Sequence, residues 1–145
     1  MTKELLEIIN SSTTEFSSVP REAWIHKSHP SKWSKKEILG HLIDSALTNL
    51  RRFVMTQYQQ NLNIVYHQDE WVELQNYQEA DIAELVDLWR LLNLQIVRVV
   101  DRIPADKLQN VCDTGKKESK YDSLEFLIED YLVHLKHHLD QILGS

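Results

Sequence analysis

Residues 81–104 read DIAELVDLWRLLNLQIVRVVDRIP, and Ile82, Leu85, Trp89, Leu92, Ile96, Val99 and Ile103 recur there at steps of three and four until Pro104 ends the pattern. That spacing keeps one face of an α-helix apolar. Alternating three and four is also the seam of a helix packed nearly parallel or antiparallel to its neighbours, as in a bundle. At a rise of 1.5 Å per residue, about 22 residues span roughly 33 Å. Asp81 and Glu84 open the segment with the spacing of a capping box, in which side chains satisfy backbone N–H groups that the first turn leaves free.

Three further segments carry helical spacing. The first runs from about Thr2 to Phe16, with Leu5, Ile8, Ile9 and Phe16 as its buried set, and ends before Pro20. The next starts at SKKE, where Ser34 and Glu37 repeat the capping signal, and is expected to continue to about Gln59. Its inward face holds Ile38, Leu42, Ala46 and Phe53, and His41 and Ser45 fall on the same face. The last opens at DSLE, Asp122 to Glu125, and ends near Leu143, with Gly144 expected as a left-handed cap. Four long helices in one chain of 145 residues predict an all-α fold, a four-helix bundle forming a single domain over residues 1–145. The connections 18–33, containing VPREAWIHKSHPSKW, and 60–80, QNLNIVYHQDEWVELQNYQEA, are too long for a minimal up-and-down bundle. A short helix around Asp69 to Leu74 is expected in the second. Trp24, Trp33, Tyr66, Trp71 and Tyr77 in these connections either seal one end of the core or line a site.

Composition narrows the function classes. Hydrophobic residues are 42% and charged residues 26%, with three Gly and three Pro, too little punctuation for a multi-stranded β fold. The net charge of −6 and the lack of any Lys/Arg run longer than two argue against nucleic acid and against an anionic membrane surface. No apolar run approaches the roughly 20 residues that span a bilayer, and the acidic start MTKELLEIINSSTTEF has no cleavage-site pattern, so a cytoplasmic protein is expected. The lone Cys112, in the polar stretch QNVCDTGKKESK, excludes an internal disulfide and is expected to be an incidental exposed thiol.

The informative residues are histidines. In DYLVHLKHHLDQIL, residues 130–143, His134 and His138 stand four apart on the face of Leu127, Tyr131 and Ile142, so two rings project side by side. His137 is a geometric rival, but Lys136 and Asp140 mark its flank as the wetter side. His41 occupies an inward position on a different helix. A buried imidazole without a partner costs about 1 to 3 kcal/mol, and one shared cation would remove that cost for all three. Neutral imidazole suits Zn²⁺, Ni²⁺ or other first-row ions, and three His leave a coordination position open. Asp44, three residues after His41, and Asp130, four before His134, are close enough along their helices to orient a ring or handle a proton, although for Asp130 an exposed acid is the favoured reading. His26, His29 and His67 read as surface residues, with His67 beside Asp69 able to border a pocket.

The stretches KWSKKEILGHLIDSALTNLRRF (32–53), DEWVELQNY (69–77) and DYLVHLKHHLDQI (130–142) resemble the DinB-like, or damage-inducible YfiT-like, four-helix proteins. The resemblance rests on Trp33, Gly40-His41-Leu42, Asp44, then His134-x-x-x-His138 followed by Gln141. It implies an up-down bundle with crossover connections, a divalent ion held by His41, His134 and His138, and frequent homodimers. Some members of that family are described as metal-dependent hydrolases, and others transfer a low-molecular-weight thiol such as bacillithiol, mycothiol or glutathione onto an electrophile.

Leu135 stands where an H-E-x-x-H helix would carry its general base, which disfavours peptide hydrolysis by that route. The leading expectation is therefore a metal-dependent enzyme acting on a small-molecule substrate by thiol transfer, with Asp44 as proton acceptor or orienter. Hydrolysis of a small substrate is the alternative. A non-catalytic metal-stabilised bundle in a stress response, and a bundle whose histidines are satisfied by backbone and water alone, remain as other classes. Leu91, Leu94 and Val97, outside the main seam, could serve a second copy or widen the core contact.

Overall fold

Ser34 begins the helix that carries His41, and it does so as a full capping box: its side chain accepts from the Glu37 N–H at 3.1 Å, and Glu37 accepts from the Ser34 N–H at 2.9 Å. The computed structural model, described over residues 1–144, places α1 at Thr2–Phe16, α2 at Arg21–Ile25, α3 at Lys35–Met55, α4 at Gln68–Gln75, α5 at Ile82–Asp101 and α6 at Leu124–Leu143. The four long helices are α1, α3, α5 and α6. Of these, α3 packs against both α5 and α6, and α1 also packs against α5 and α6. Going round the bundle, the order is therefore α1, α5, α3, α6. Two of the three links between consecutive long helices, α1 to α3 and α5 to α6, cross the bundle diagonally, so they must be long. This is the expected four-helix bundle with crossover connections.

The seam of α5 behaves as its spacing requires. Leu85, Trp89 and Ile96 are buried, while Ile82, Leu92, Val99 and Ile103 pack half-buried against them. Trp89 is wholly enclosed and meets Phe16 of α1 edge to face, with ring centroids 5.3 Å apart. Phe16 in turn meets Trp24 of α2 at 5.6 Å, so the first connection folds a short helix over the end of the core. For Trp24 the sealing role holds. A buried hydrogen bond joins the diagonal pair α5 and α6, the Tyr131 hydroxyl donating to Asn93 Oδ1 at 2.5 Å. On the surface Lys136 of α6 pairs with Glu4 of α1. Among the described residues no helix is long and apolar enough to cross a membrane.

Several boundaries differ from expectation. The α3 helix ends at Met55 rather than near Gln59, because the chain turns there through Thr56, Gln57 and Tyr58. The cap of α6 is Ser123, whose hydroxyl accepts from the Phe126 N–H at 3.1 Å, one residue later than DSLE suggested; Ser123 is also the last residue of a strand, which runs directly into the helix. Gly144 is extended (φ −66°, ψ 144°), not left-handed. A small sheet also forms. Strand β1 (Leu62–Asn63) pairs parallel with β2 (Val111–Asp113), which pairs antiparallel with β3 (Tyr121–Ser123). Strands of two or three residues carry no readable alternation, which is why the sequence pattern is silent about them. They enclose Cys112, which is fully buried with Sγ 3.2 Å from the Leu62 carbonyl, and burial pushes its thiol up. The expected exposed thiol is thus corrected to a structural core residue. Leu94 and Val97 pack against the core, whereas Leu91 is exposed.

Candidate metal centre

Position 41 of α3 and positions 134 and 138 of α6 face each other because those two helices are neighbours in the bundle. His41 is completely buried and the other two rings are partly buried. One nitrogen of each ring lies within 4.8 Å of the other two. His134 Nε2 stands 3.2 Å from His41 Nε2 and 3.1 Å from His138 Nε2. Two nitrogens each about 2.0 to 2.1 Å from a tetrahedral ion would be about 3.3 Å apart. The rings are thus already spaced for a shared cation.

Their outer nitrogens are also held. His41 Nδ1 lies 2.8 Å from the Tyr66 hydroxyl, which has the His41 carbonyl as its own acceptor at 3.4 Å. His138 Nδ1 lies 2.7 Å from Gln141 Oε1, an acceptor, so this nitrogen carries the proton and Nε2 is bare. The consequence is electrostatic. The proton on His138 Nδ1 leaves that ring no hydrogen to donate to His134, so both short Nε2 contacts can be hydrogen bonds only if a single hydrogen on His134 Nε2 is shared between them. Every other placement of the hydrogens sets one lone pair against another at about 3 Å, which a cation between them converts from repulsion to attraction. Protonating the rings is a poor escape. Burial, then the neighbouring His134 and His138, lower His41 from an ordinary 6.5 to about 3. Burial and then His138 lower His134 to about 4, with Asp130 opposing. The donor set, three neutral imidazoles, fits Zn²⁺, Ni²⁺ or a similar divalent ion.

Asp44 is fully buried but bonds to none of the three rings. Its Oδ1 accepts from the Tyr77 hydroxyl at 2.6 Å and the Gln75 amide at 2.8 Å, while Oδ2 has no partner. Burial raises its carboxyl above the ordinary range, and those two hydrogen bonds oppose the rise. Asp130, His137, His26, His29 and His67 are exposed and stand outside the cluster. Sequence reasoning gave no site role to Gln75, and counted Tyr66 and Tyr77 only among connection aromatics. Their positions on the 60–80 connection, with Trp71 edge-on to Tyr66 at 6.3 Å, show that this connection covers the histidine site. Trp33 adds its ring at 4.9 Å from that of His41.

Known structures share this architecture. YfiT from Bacillus subtilis, described as a probable metal-dependent hydrolase with an unusual four-helix bundle topology, matches with a TM-score of 0.82 at 16% identity, over 97% of this chain and 83% of that one. The mycothiol-dependent maleylpyruvate isomerase and a mutant of it each match with a TM-score of 0.69 at 13% identity; all of this chain is covered, but it spans only 61% of theirs. Likeness at these identities is a likeness of fold. Among curated proteins none matches the sequence. The sequence profile of the DinB superfamily matches residues 5–142, nearly the whole chain, and the protein belongs to the DinB superfamily.

Proposed function

We propose that His41, His134 and His138 hold one divalent cation and that the protein is a metal-dependent enzyme transferring a low-molecular-weight thiol to a small electrophile. The observation that carries the metal is the crowding of three Nε2 atoms, which without an ion are paired only if one hydrogen serves both short contacts. A divalent ion there supplies Lewis acidity, lowering the pKa of a coordinated thiol or water toward neutrality. The residues do the rest. Three neutral imidazoles leave the charge of the ion uncancelled, and a half-exposed Trp71 beside Tyr66 offers an apolar wall for the electrophile. In the transfer the thiol loses its proton, sulfur bonds to the electrophilic carbon, and the leaving group departs with a proton.

Asp44 has two roles available in this scheme. As proton acceptor it would use Oδ2, the oxygen that Tyr77 and Gln75 leave free. As orienter it would hold those two residues, and with them the connection over the site. Asp44→Asn separates the roles, because the amide oxygen still accepts from both donors but cannot take up a proton. We favour the orienter, since both observed bonds to Oδ1 serve that purpose.

Thiol transfer is supported by the missing water-activating Glu, with Leu135 in its place, and by the fold shared with a mycothiol-dependent isomerase. Hydrolysis is supported by the fold shared with YfiT. The first test is elemental analysis of tag-free protein: wild type should carry about one divalent ion per chain, and His41→Ala or His138→Ala next to none. Loaded protein is then offered a thiol panel with an electrophile, against an ester and amide panel. Turnover of the esters alone would replace transfer by hydrolysis. Should two copies pair, Leu88 and Leu91 are the exposed apolar residues of α5, and sedimentation of Leu91→Glu against wild type reads their part.

A further inference from the structure

The connection between β1 and α5 is bound to α3 at several points. Arg52 of α3 grips the Ile64 carbonyl through Nε at 3.1 Å and Nη2 at 2.7 Å. Asp44 takes the Tyr77 and Gln75 side chains. Gly40 lets the Tyr77 ring lie directly on the helix backbone, since a Cβ there would stand 2.1 Å from the ring. Tyr66 lies between these anchors, its ring within 9° of the His41 plane and its hydroxyl on His41 Nδ1. Its position is therefore imposed from both sides by bonds that do not involve the histidines.

We infer that Tyr66 is a positioning residue that fixes His41 in the tautomer with hydrogen on Nδ1, keeping Nε2 free for the cation. The direction of the bond follows from the available partners. The phenol has one hydrogen, and the His41 carbonyl is in place to accept it; the phenol oxygen then accepts from Nδ1. Without the hydroxyl, His41 would gain by moving its hydrogen to Nε2 and donating to His134 Nε2, already 3.2 Å away. That self-paired state competes with metal. Tyr66 removes the competitor by giving the hydrogen a partner on the other side of the ring. Groups that orient a ligating imidazole in this way change metal affinity by about 10- to 100-fold. The affinity consequence rests on the metal reading above, but the tautomer does not.

The test is long-range ¹H–¹⁵N NMR of the metal-free full chain at pH 8, followed by calorimetric titration with Zn²⁺. Wild type should show His41 protonated at Nδ1, and Tyr66→Phe, which keeps the ring, should move the proton wholly or partly to Nε2. Zn²⁺ affinity should then fall 10- to 100-fold in Tyr66→Phe, with Tyr58→Phe, the same change at an exposed tyrosine, close to wild type. An Nε2-protonated His41 in wild type overturns the inference without any variant, as does an unchanged tautomer in Tyr66→Phe. Unchanged affinity in a variant whose tautomer has moved overturns the affinity claim. A tautomer that responds while wild type binds no Zn²⁺ upholds the role of Tyr66 and rejects the metal reading.

Discussion

Gly40 is decided by a ring, not by backbone strain. It sits inside α3 with ordinary helical geometry, a place where Gly costs roughly 1 kcal/mol relative to Ala. The space for a methyl group is taken by Tyr77, whose Cδ2 and Cε2 would lie 2.1 and 2.4 Å from an added Cβ. Gly40→Ala should therefore destabilise by about 1 to 3 kcal/mol through overpacking, outweighing the better helix propensity, and chemical denaturation will read it. Because Tyr77 also donates to Asp44, the same substitution should loosen the connection over His41. In sequence, Gly40-His41-Leu42 and Asp44 are visible as a motif. What the motif does is visible only once Tyr77, 33 positions after Asp44, lies against it.

At the level of elements, the seam of α5 and the Ser34–Glu37 cap are local signals, and both are read correctly from spacing. The small sheet is not, for its pairing joins residues 50 positions apart through strands too short to show a period. The shift of the α6 cap from Asp122 to Ser123 has the same origin: β3 extends to Ser123, so the helix starts only where that strand ends. Across the bundle diagonal, Tyr131 and Asn93 tie α6 to α5 where direct packing is slight. Asn93 is fully buried, with its Nδ2 given to the Trp89 carbonyl at 2.9 Å. Tyr131→Phe strands Asn93 Oδ1 without a donor and should cost about 1 to 3 kcal/mol in equilibrium unfolding. A loss well under that range would show that another donor reaches Asn93.

For the molecule as a whole, the histidine cluster sets a pH dependence. His41 and His134 are held at about 3 and about 4 against an ordinary 6.5, and His138 is also lowered, by burial and then His137, against the Gln141 bond. Below pH 6.5 the unfolded chain takes up protons that the folded rings refuse, so stability present above 6.5 is lost as pH falls toward 4. Asp44, raised by burial, works the other way above its ordinary 3.8, one group against three. Metal-free protein should thus melt progressively lower from pH 7 to 4, and His41→Ala, lacking one of the refusing rings, should show a shallower dependence. Local chemistry of the chain was enough to determine four amphipathic helices, the caps that open α3 and α5, and three histidines on inward faces, because periodicity and burial cost act over a few residues. Which helices are neighbours, which ring nitrogens point inward, and which connection residues hold them were decided by tertiary packing alone, since those contacts join positions 25 to 93 residues apart and no local pattern encodes them.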